Sequence, residues 1–183
     1  MKKIALNLLL GSALMAGASL PAYTAEKPQE LKIGITTYLS GSASVFGVPG
    51  RDAADILIED INNNGGIAGV KIVPTYIDEG GGSEKMLSEY RRLAESGTDV
   101  MLSAISSGHC NIVAPVAEDL EVLNILWDCG TEKVLEEKEH KYVVRTQANA
   151  TTEMVAMAIY LMKVKPDFKT LAIVNQDYAW GRD

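Results

Sequence analysis

The residues best suited to chemistry follow a short apolar run, where Val100–Ile105 gives way to SSGHC, Ser106 to Cys110. Two hydroxyls, an imidazole and a thiol stand side by side there. A second polar set, Asp128 to Thr131, follows the next apolar run, Leu123–Trp127. Together these residues could form a nucleophilic site, a metal site or a cradle for a ligand.

A serine hydrolase would need a base close to Ser106 or Ser107. The chain has only two histidines, His109 and His140, and it lacks the G-x-S-x-G elbow. Adjacency of His109 in sequence does not create the geometry of a catalytic triad. Serines at the end of a strand are more commonly turn residues, so the nucleophile hypothesis is disfavoured.

A metal site would have to combine His109, Cys110, Asp128 and Cys129 across two neighbouring strands. The paired spacings typical of metal ligands, such as C-x-x-C or H-E-x-x-H, are absent. Each cysteine lies just past the end of one of two consecutive strands, within plausible bridging reach. We therefore favour a Cys110–Cys129 disulfide over free thiols or a metal site.

The glycine run Gly80–Gly82 has no phosphate-binding pattern, so no cofactor is expected either.

A ligand cradle fits this pattern best. A Ser-Ser-Gly turn that leads into a helix offers hydroxyls, free backbone N–H groups and the partial positive charge of the helix N-terminus. This combination suits a carboxylate. Gly130 and Thr131 could add a further N–H and hydroxyl. Tyr38 and Phe46, in an earlier loop, could supply an apolar wall.

The elements that would position these residues alternate between strand and helix patterns. Apolar or β-branched runs predict strands at 32–37, 70–78, 100–105, 123–127, 142–145 and 170–175, and helical spacing lies between most of them. Such alternation indicates an α/β fold, with a parallel sheet and helices on both faces. Pro74 cannot donate to a strand ladder, which places its strand at a sheet edge. Ligands of parallel sheets bind beyond the carboxyl ends of the strands, where residues 38–47, 78–83, 106–110 and 128–131 emerge.

The first 25 residues have the layout of a secretory signal peptide. Lys2 and Lys3 precede an apolar run rich in Gly and Ala, and small residues follow; we expect cleavage between 18 and 25. Their removal takes the net charge from −7 to −9. An acidic chain has no basic surplus to neutralise phosphates, which disfavours nucleic-acid binding. The sequence thus predicts an exported, soluble protein.

Longer segments of the chain resemble one known family. The run from Lys32 to Ile72 is similar to the first lobe of periplasmic solute-binding proteins of the branched-chain amino-acid class. The motifs that match are LSG at Leu39, DIN at Asp60, APVA at Ala114 and DYAWG at Asp177. Their order and spacing are more specific than any single motif, and the resemblance covers about residues 31–183.

The resemblance implies a type I periplasmic-binding fold with two lobes, and a function in solute delivery to the permease subunits of an ABC importer. It implies a periplasmic monomer without catalysis, which binds a small carboxylate-bearing solute between its lobes. The implied ligand-binding residues are Ser106, Ser107, Gly130, Thr131, Cys129, Phe46, Tyr38 and Trp180. The alternative is the ligand-binding domain of an exported sensor with the same fold.

The resemblance also implies a division of the chain. Residues 31–148 would form the first lobe, and residues 149–183 would begin a second lobe that is truncated in this sequence. A cleft with only part of its second wall is expected to hold solute weakly, because lobe closure buries much of the ligand. The pair Cys110 and Cys129 is not general to the class, which leaves the solute open among amino acids, amides, urea and aromatic acids.

Overall fold

The sheet consists of five parallel strands, as the computed structural model shows for residues 27–183. The strands are Glu30–Thr37 (β1), Lys71–Asp78 (β2), Val100–Ser103 (β3), Leu123–Leu126 (β4) and Val143–Arg145 (β5). Their order across the sheet is β2-β1-β3-β4-β5, and every neighbouring pair is parallel. The predicted α/β fold with a parallel sheet is confirmed. Pro74 lies in β2, which is an edge strand as its missing N–H requires.

Helices connect the strands and extend beyond the sheet. They are Ser44–Asn63 (α1), Ser83–Glu95 (α2), Ser107–Asp119 (α3), Lys133–Glu136 (α4), Ala150–Val164 (α5) and Ala179–Arg182 (α6). A 3-10 turn, Glu79–Gly81, joins β2 to α2. Among residues 27–183, no helix has the length and apolarity needed to cross a membrane. The predicted signal peptide lies outside these residues.

The main core lies between the sheet and helices α2 and α3. On α2, Met86 and Tyr90 are spaced by four residues, so they share one face, and both are fully buried. They pack with Met101 of β3 and Leu126 of β4 in one apolar cluster. A Cβ added at Gly34 of β1 would clash with the side chains of Met101 and Leu93, so these side chains would have to shift. This face therefore holds the sheet and two helices together by burial of apolar side chains.

The opposite face of the sheet carries α1 and is less covered. Thr37 donates its hydroxyl to the carbonyl of Gly47, and Tyr76 donates to Asp55, so α1 lies over β1 and β2. In the predicted apolar stripe of α1, Ala54, Ile58 and Ile61 are half-buried, but Leu57 is exposed. Helices thus lie on both faces, with unequal packing.

The predicted strand at 170–175 is wrong. The structure has no strand between β5 and the end of the chain, and Ile173 and Val174 are 77% and 98% exposed. A β-branched run forms a strand only where a neighbour supplies ladder hydrogen bonds. No segment among residues 27–183 lies beside it in that role.

Two leucines of β4 provide a test of the core. We expect Leu126→Ala to lower the free energy of unfolding by about 2–5 kcal/mol, because Leu126 is fully buried. Leu123→Ala is the matched control: it removes the same atoms from the same strand, but Leu123 is 40% exposed. Urea denaturation measures both. Equal losses would contradict the assignment of the core to the α2–α3 side.

Candidate functional site

A cleft opens at the sheet edge where β1, β3 and β4 end. One part, of about 380 Å³, is lined by Phe46, Ile105, Ser107, Asp128, Gly130, Gln147, Glu153, Gln176, Tyr178 and Trp180. An adjoining part, of about 360 Å³, shares four of these residues and adds Tyr38, Ser42, Ala43 and Ser106. We call the two parts together the cleft. Its position, beyond the carboxyl ends of parallel strands, is where such sheets bind ligands.

Six of the eight predicted ligand-binding residues line the cleft. Ser107, Gly130, Phe46 and Trp180 lie in its first part, and Tyr38 and Ser106 in the second. Cys129 does not line it, because its side chain is fully buried in a disulfide. The structure therefore brings together the loops after β1, β3 and β4 with the segment after α5.

Thr131 lies outside the cleft, in contrast to our expectation. Its side chain is fully buried, and its hydroxyl donates to the Asp183 carboxylate. Asp183 also accepts from the backbone N–H of Glu132 at 3.0 Å and lies 3.6 Å from the Lys133 ammonium. The hydroxyl that would have faced a ligand thus anchors the end of the described chain.

Gly130 is needed because an aromatic ring approaches its backbone. A Cβ built on Gly130 would lie 2.6 Å from Cδ1 and Nε1 of Trp180. Any side chain would therefore displace the indole from the cleft wall. The close approach connects the loop after β4 with the short helix α6.

Asp78 holds the loop after β1. Its carboxylate accepts from the backbone N–H of Leu39 at 2.8 Å, of Gly80 at 2.8 Å, and from the hydroxyl of Ser40 at 2.6 Å. Burial acts to raise the pKa of Asp78. The hydrogen bonds from Ser40, Gly80 and Leu39 outweigh it, so the pKa lies below its ordinary value.

Glu79, the next residue, holds the loop after β3. Its carboxylate is 1% exposed and accepts from the backbone N–H groups of Ile105 at 2.9 Å and Ser106 at 3.1 Å. Thr36 donates its hydroxyl at 3.1 Å, and Nδ1 of His109 lies 2.8 Å away. The sequence patterns did not single out this acid, although it directly follows a strand on the predicted ligand edge.

His109 belongs to this network. Its Nδ1 is engaged by Glu79, and its ring stacks on Tyr38 with centroids 5.8 Å apart and planes 16° apart. Among residues 27–183, no group of three or more His, Cys, Asp or Glu side chains is placed to hold a metal ion. The arrangement can bind and orient a small molecule, and it lacks a serine–histidine pair in the region that the structure describes.

The disulfide joins two of the elements whose residues line the cleft. Cys110, in the first turn of α3, is joined to Cys129, in the loop after β4, and their Cα atoms are 6.3 Å apart. Both side chains are fully buried. The bridge therefore fixes the Ser106–Ser107 turn relative to the Gly130 loop.

Comparisons with known proteins support one family. A sequence profile described as periplasmic binding protein matches residues 30–183. The chain is 25% identical over 179 residues to Leu/Ile/Val-binding protein homolog 3 of Brucella melitensis, covering 97% of this chain and 47% of the relative. It is also 25% identical to the Leu/Ile/Val-binding protein of Citrobacter freundii, covering 93% and 46%. The chain thus spans about half the length of the curated relatives it matches.

Solved structures show the same fold. An ABC transporter substrate-binding protein from Desulfitobacterium hafniense, in complex with Leu, has a TM-score of 0.71 at 18% identity, covering 84% of this chain and 44% of that chain. A solute-binding protein from R. palustris, in complex with 4-hydroxybenzoate, has a TM-score of 0.67 at 19% identity, covering 84% and 40%.

Removal of the Glu79 carboxylate tests its role in the loop after β3. We expect Glu79→Ala to lower the free energy of unfolding by about 3–5 kcal/mol, because it leaves buried donors without an acceptor. Glu59→Ala, on the exposed surface of α1, is the control for loss of one negative charge. Urea denaturation at pH 7 compares them. A loss no larger than that of Glu59→Ala would contradict the network.

The disulfide makes a separate prediction. Its residues are 19 positions apart, and the chain-entropy treatment gives about 3 kcal/mol for a loop of that size. We expect the Cys110→Ala/Cys129→Ala variant to lose about that stability, and reductant to cause a similar loss in the parent protein but none in the variant. Titration of the denatured, non-reduced protein should detect no thiol. Two titratable thiols would disprove the bridge.

Proposed function

This chain belongs to the periplasmic binding protein family, and we propose that it binds a small carboxylate-bearing solute in the cleft, for delivery to the permease subunits of an ABC importer. The observation that carries this proposal is the position of the cleft between the turn before α3, the loop after β4 and the segment around Trp180. In this proposal the chain acts in the periplasm as a monomer, without catalysis.

The turn before α3 supports recognition of a carboxylate. Helix α3 has 13 residues, and the first N–H groups of a helix have no partner within it. Glu79 already binds the N–H groups of Ile105 and Ser106, so those available to a solute begin at Ser107. Ser106 makes no side-chain cap bond to the helix, which leaves its hydroxyl near the cleft rather than in the helix cap.

Aromatic side chains support an apolar or aromatic part of the solute. Phe46 is 66% exposed on one wall, and Tyr178 and Trp180 stand on the other. Exposed aromatic rings that face a cleft commonly contribute affinity when a ligand covers them. The relatives include proteins named for Leu, Ile and Val, and one neighbour holds 4-hydroxybenzoate. We therefore propose a branched-chain or other amino acid, or an aromatic acid.

We further propose two lobes, with residues 31–148 in the first and residues 149–183 at the start of the second. Asn149 begins α5 with a capping box, in which its side chain and that of Thr152 each bond the other's backbone N–H. Most of α5 is exposed, including Met157 and Tyr160. A helix that leaves the sheet with its apolar side chains uncovered is consistent with a lobe boundary at this point.

Chemical-shift mapping tests the proposal, because it detects weak binding as well as tight binding. Titration of the 15N-labelled chain with L-leucine, L-valine and 4-hydroxybenzoate should shift the amide signals of Ser107 and Gly130 and the Trp180 indole. The Ser106→Ala/Ser107→Ala variant should bind at least tenfold more weakly, since a hydrogen bond to a charged group contributes about 1.5–3 kcal/mol.

Ser88→Ala, on the exposed side of α2, is the matched control and should bind normally. Absence of any shift with all three solutes, or shifts confined to residues away from the cleft, would overturn the proposed function.

A further inference from the structure

His109 lies behind the cleft wall rather than on it. The residue is 6% exposed, and it does not line either part of the cleft. Its imidazole nevertheless stacks on the ring of Tyr38, which does line the cleft, with ring centroids 5.8 Å apart and planes 16° apart. The histidine therefore contacts a wall residue without facing the space that a solute would occupy.

The imidazole is itself held in place by Glu79. Nδ1 of His109 lies 2.8 Å from the Glu79 carboxylate, whose side chain has no exposed surface. The hydroxyl of Thr36 and the backbone N–H groups of Ile105 and Ser106 donate to the same carboxylate. Hydrogen bonds to an ionised acceptor are shorter and stronger than neutral ones. The position of the imidazole is thus set by β1, by the end of β2 and by the loop after β3.

The backbone of Tyr38 is fixed, so rotation of its side chain is the freedom that remains. Gly47 of α1 packs so closely on the Tyr38 backbone that a Cβ added to Gly47 would clash with it. The next residue, Leu39, donates its N–H to Asp78 at 2.8 Å. The Tyr38 side chain is half-buried, with His109 stacked on it. The orientation of the tyrosine ring therefore depends on the imidazole.

The Tyr38 phenol connects this stack to the turn before α3. Burial raises the pKa of Tyr38, a side-chain hydrogen bond with Ser106 acts in the opposite sense, and the charges of Glu79 and Asp78 raise the pKa further. The hydroxyl therefore keeps its proton at neutral pH and can both donate and accept. The orientation of the ring also sets where this hydroxyl stands relative to Ser106.

We propose that His109 is a positioning residue for the cleft: its imidazole, fixed by Glu79, holds the Tyr38 ring in the wall and so raises the affinity for solute without touching the solute. A side chain that is ordered before binding lowers the entropic cost of binding. This inference rests on the proposed function, and it adds a determinant of affinity that lies outside the cleft wall.

Two substitutions separate the ring of His109 from its hydrogen bond. His109→Asn keeps an amide donor at about the reach of Nδ1 but removes the ring, and His109→Phe keeps a flat ring but removes the donor. If the ring positions Tyr38, the asparagine variant loses affinity and the phenylalanine variant retains it. Stability should follow the opposite order, with a lower urea midpoint for His109→Phe, because Glu79 then loses one of its donors.

Affinities of the full chain for L-leucine, L-valine and 4-hydroxybenzoate are measured by chemical-shift titration, after circular dichroism has established that each variant is folded. We expect His109→Asn to bind about three- to tenfold more weakly than the parent, and His109→Phe to stay within about twofold of it. In the Tyr38→Ala background, His109→Asn should change the affinity by less than about twofold, because the ring that it positions is absent.

His140→Asn is the matched control. It removes the other imidazole, whose side chain is 5% exposed and whose Nδ1 lies 3.7 Å from Glu118, and His140 does not line the cleft. Its affinity for the three solutes should equal that of the parent.

Aromatic 13C relaxation of Tyr38 in the solute-free parent is a test that needs no substitution. The ring should already be ordered before solute is added, and a mobile ring would contradict the inference. An equal loss of affinity for His109→Asn with and without Tyr38, equal losses for His109→Asn and His109→Phe, or unchanged affinity in folded His109→Asn would also overturn it while solute binding stands. Failure of the parent to bind any of the three solutes would overturn the proposed function and the inference with it.

Discussion

A buried carboxylate is tolerated only where its charge is fully met by donors, and Glu79 shows how much of the site follows from that constraint. Its oxygens accept from Thr36, His109 and the backbone of Ile105 and Ser106, so one side chain connects β1, β2, the loop after β3 and α3. The loop that bears the two serines is therefore shaped by an acid beneath the cleft. Its own sequence would allow many conformations, as Ser-Ser-Gly turns generally do.

The other side of the site is held by the same kind of interaction. Glu132, which is 7% exposed, accepts from the backbone N–H of Thr151 at 2.7 Å and from the Asn149 side chain at 2.6 Å. These bonds, with that from the Ala150 N–H to the Gly130 carbonyl at 2.9 Å, attach the start of α5 to the loop after β4. The Cys110–Cys129 disulfide in turn joins the loop after β4 to the first turn of α3. The cleft can therefore present Ser107, Asp128 and Gly130 at fixed positions, while its outer wall comes from a separate segment.

Much of the fold was predictable because its signals are local. Alternating apolar runs and helical spacing identified all five strands, since burial on both faces of a parallel sheet requires near-continuous apolar residues. Pro74 identified an edge strand because the missing N–H acts at that residue alone. The run at 170–175 was wrongly predicted as a strand because that signal is also local. Its β-branched residues suit a strand, but pairing depends on a neighbour that residues 27–183 do not supply.

The candidate site, like the fold, has features that the sequence predicted and features that it did not. Residue types at strand ends were sufficient to locate the ligand edge and to single out Ser106, Ser107, Gly130, Phe46 and Tyr38, because parallel topology brings those loops together whatever their details. Trp180 was implied only by the family resemblance. The pairing of Cys110 with Cys129 also followed from topology. Only the tertiary structure decided which partners the individual polar side chains have. Thr131 is turned toward Asp183, Glu79 is fully satisfied by its neighbours, and Asp128 lies on the cleft wall, where its carboxylate bonds no other residue among 27–183. These outcomes depend on distances of a few ångströms between residues far apart in the chain, and sequence spacing does not encode them.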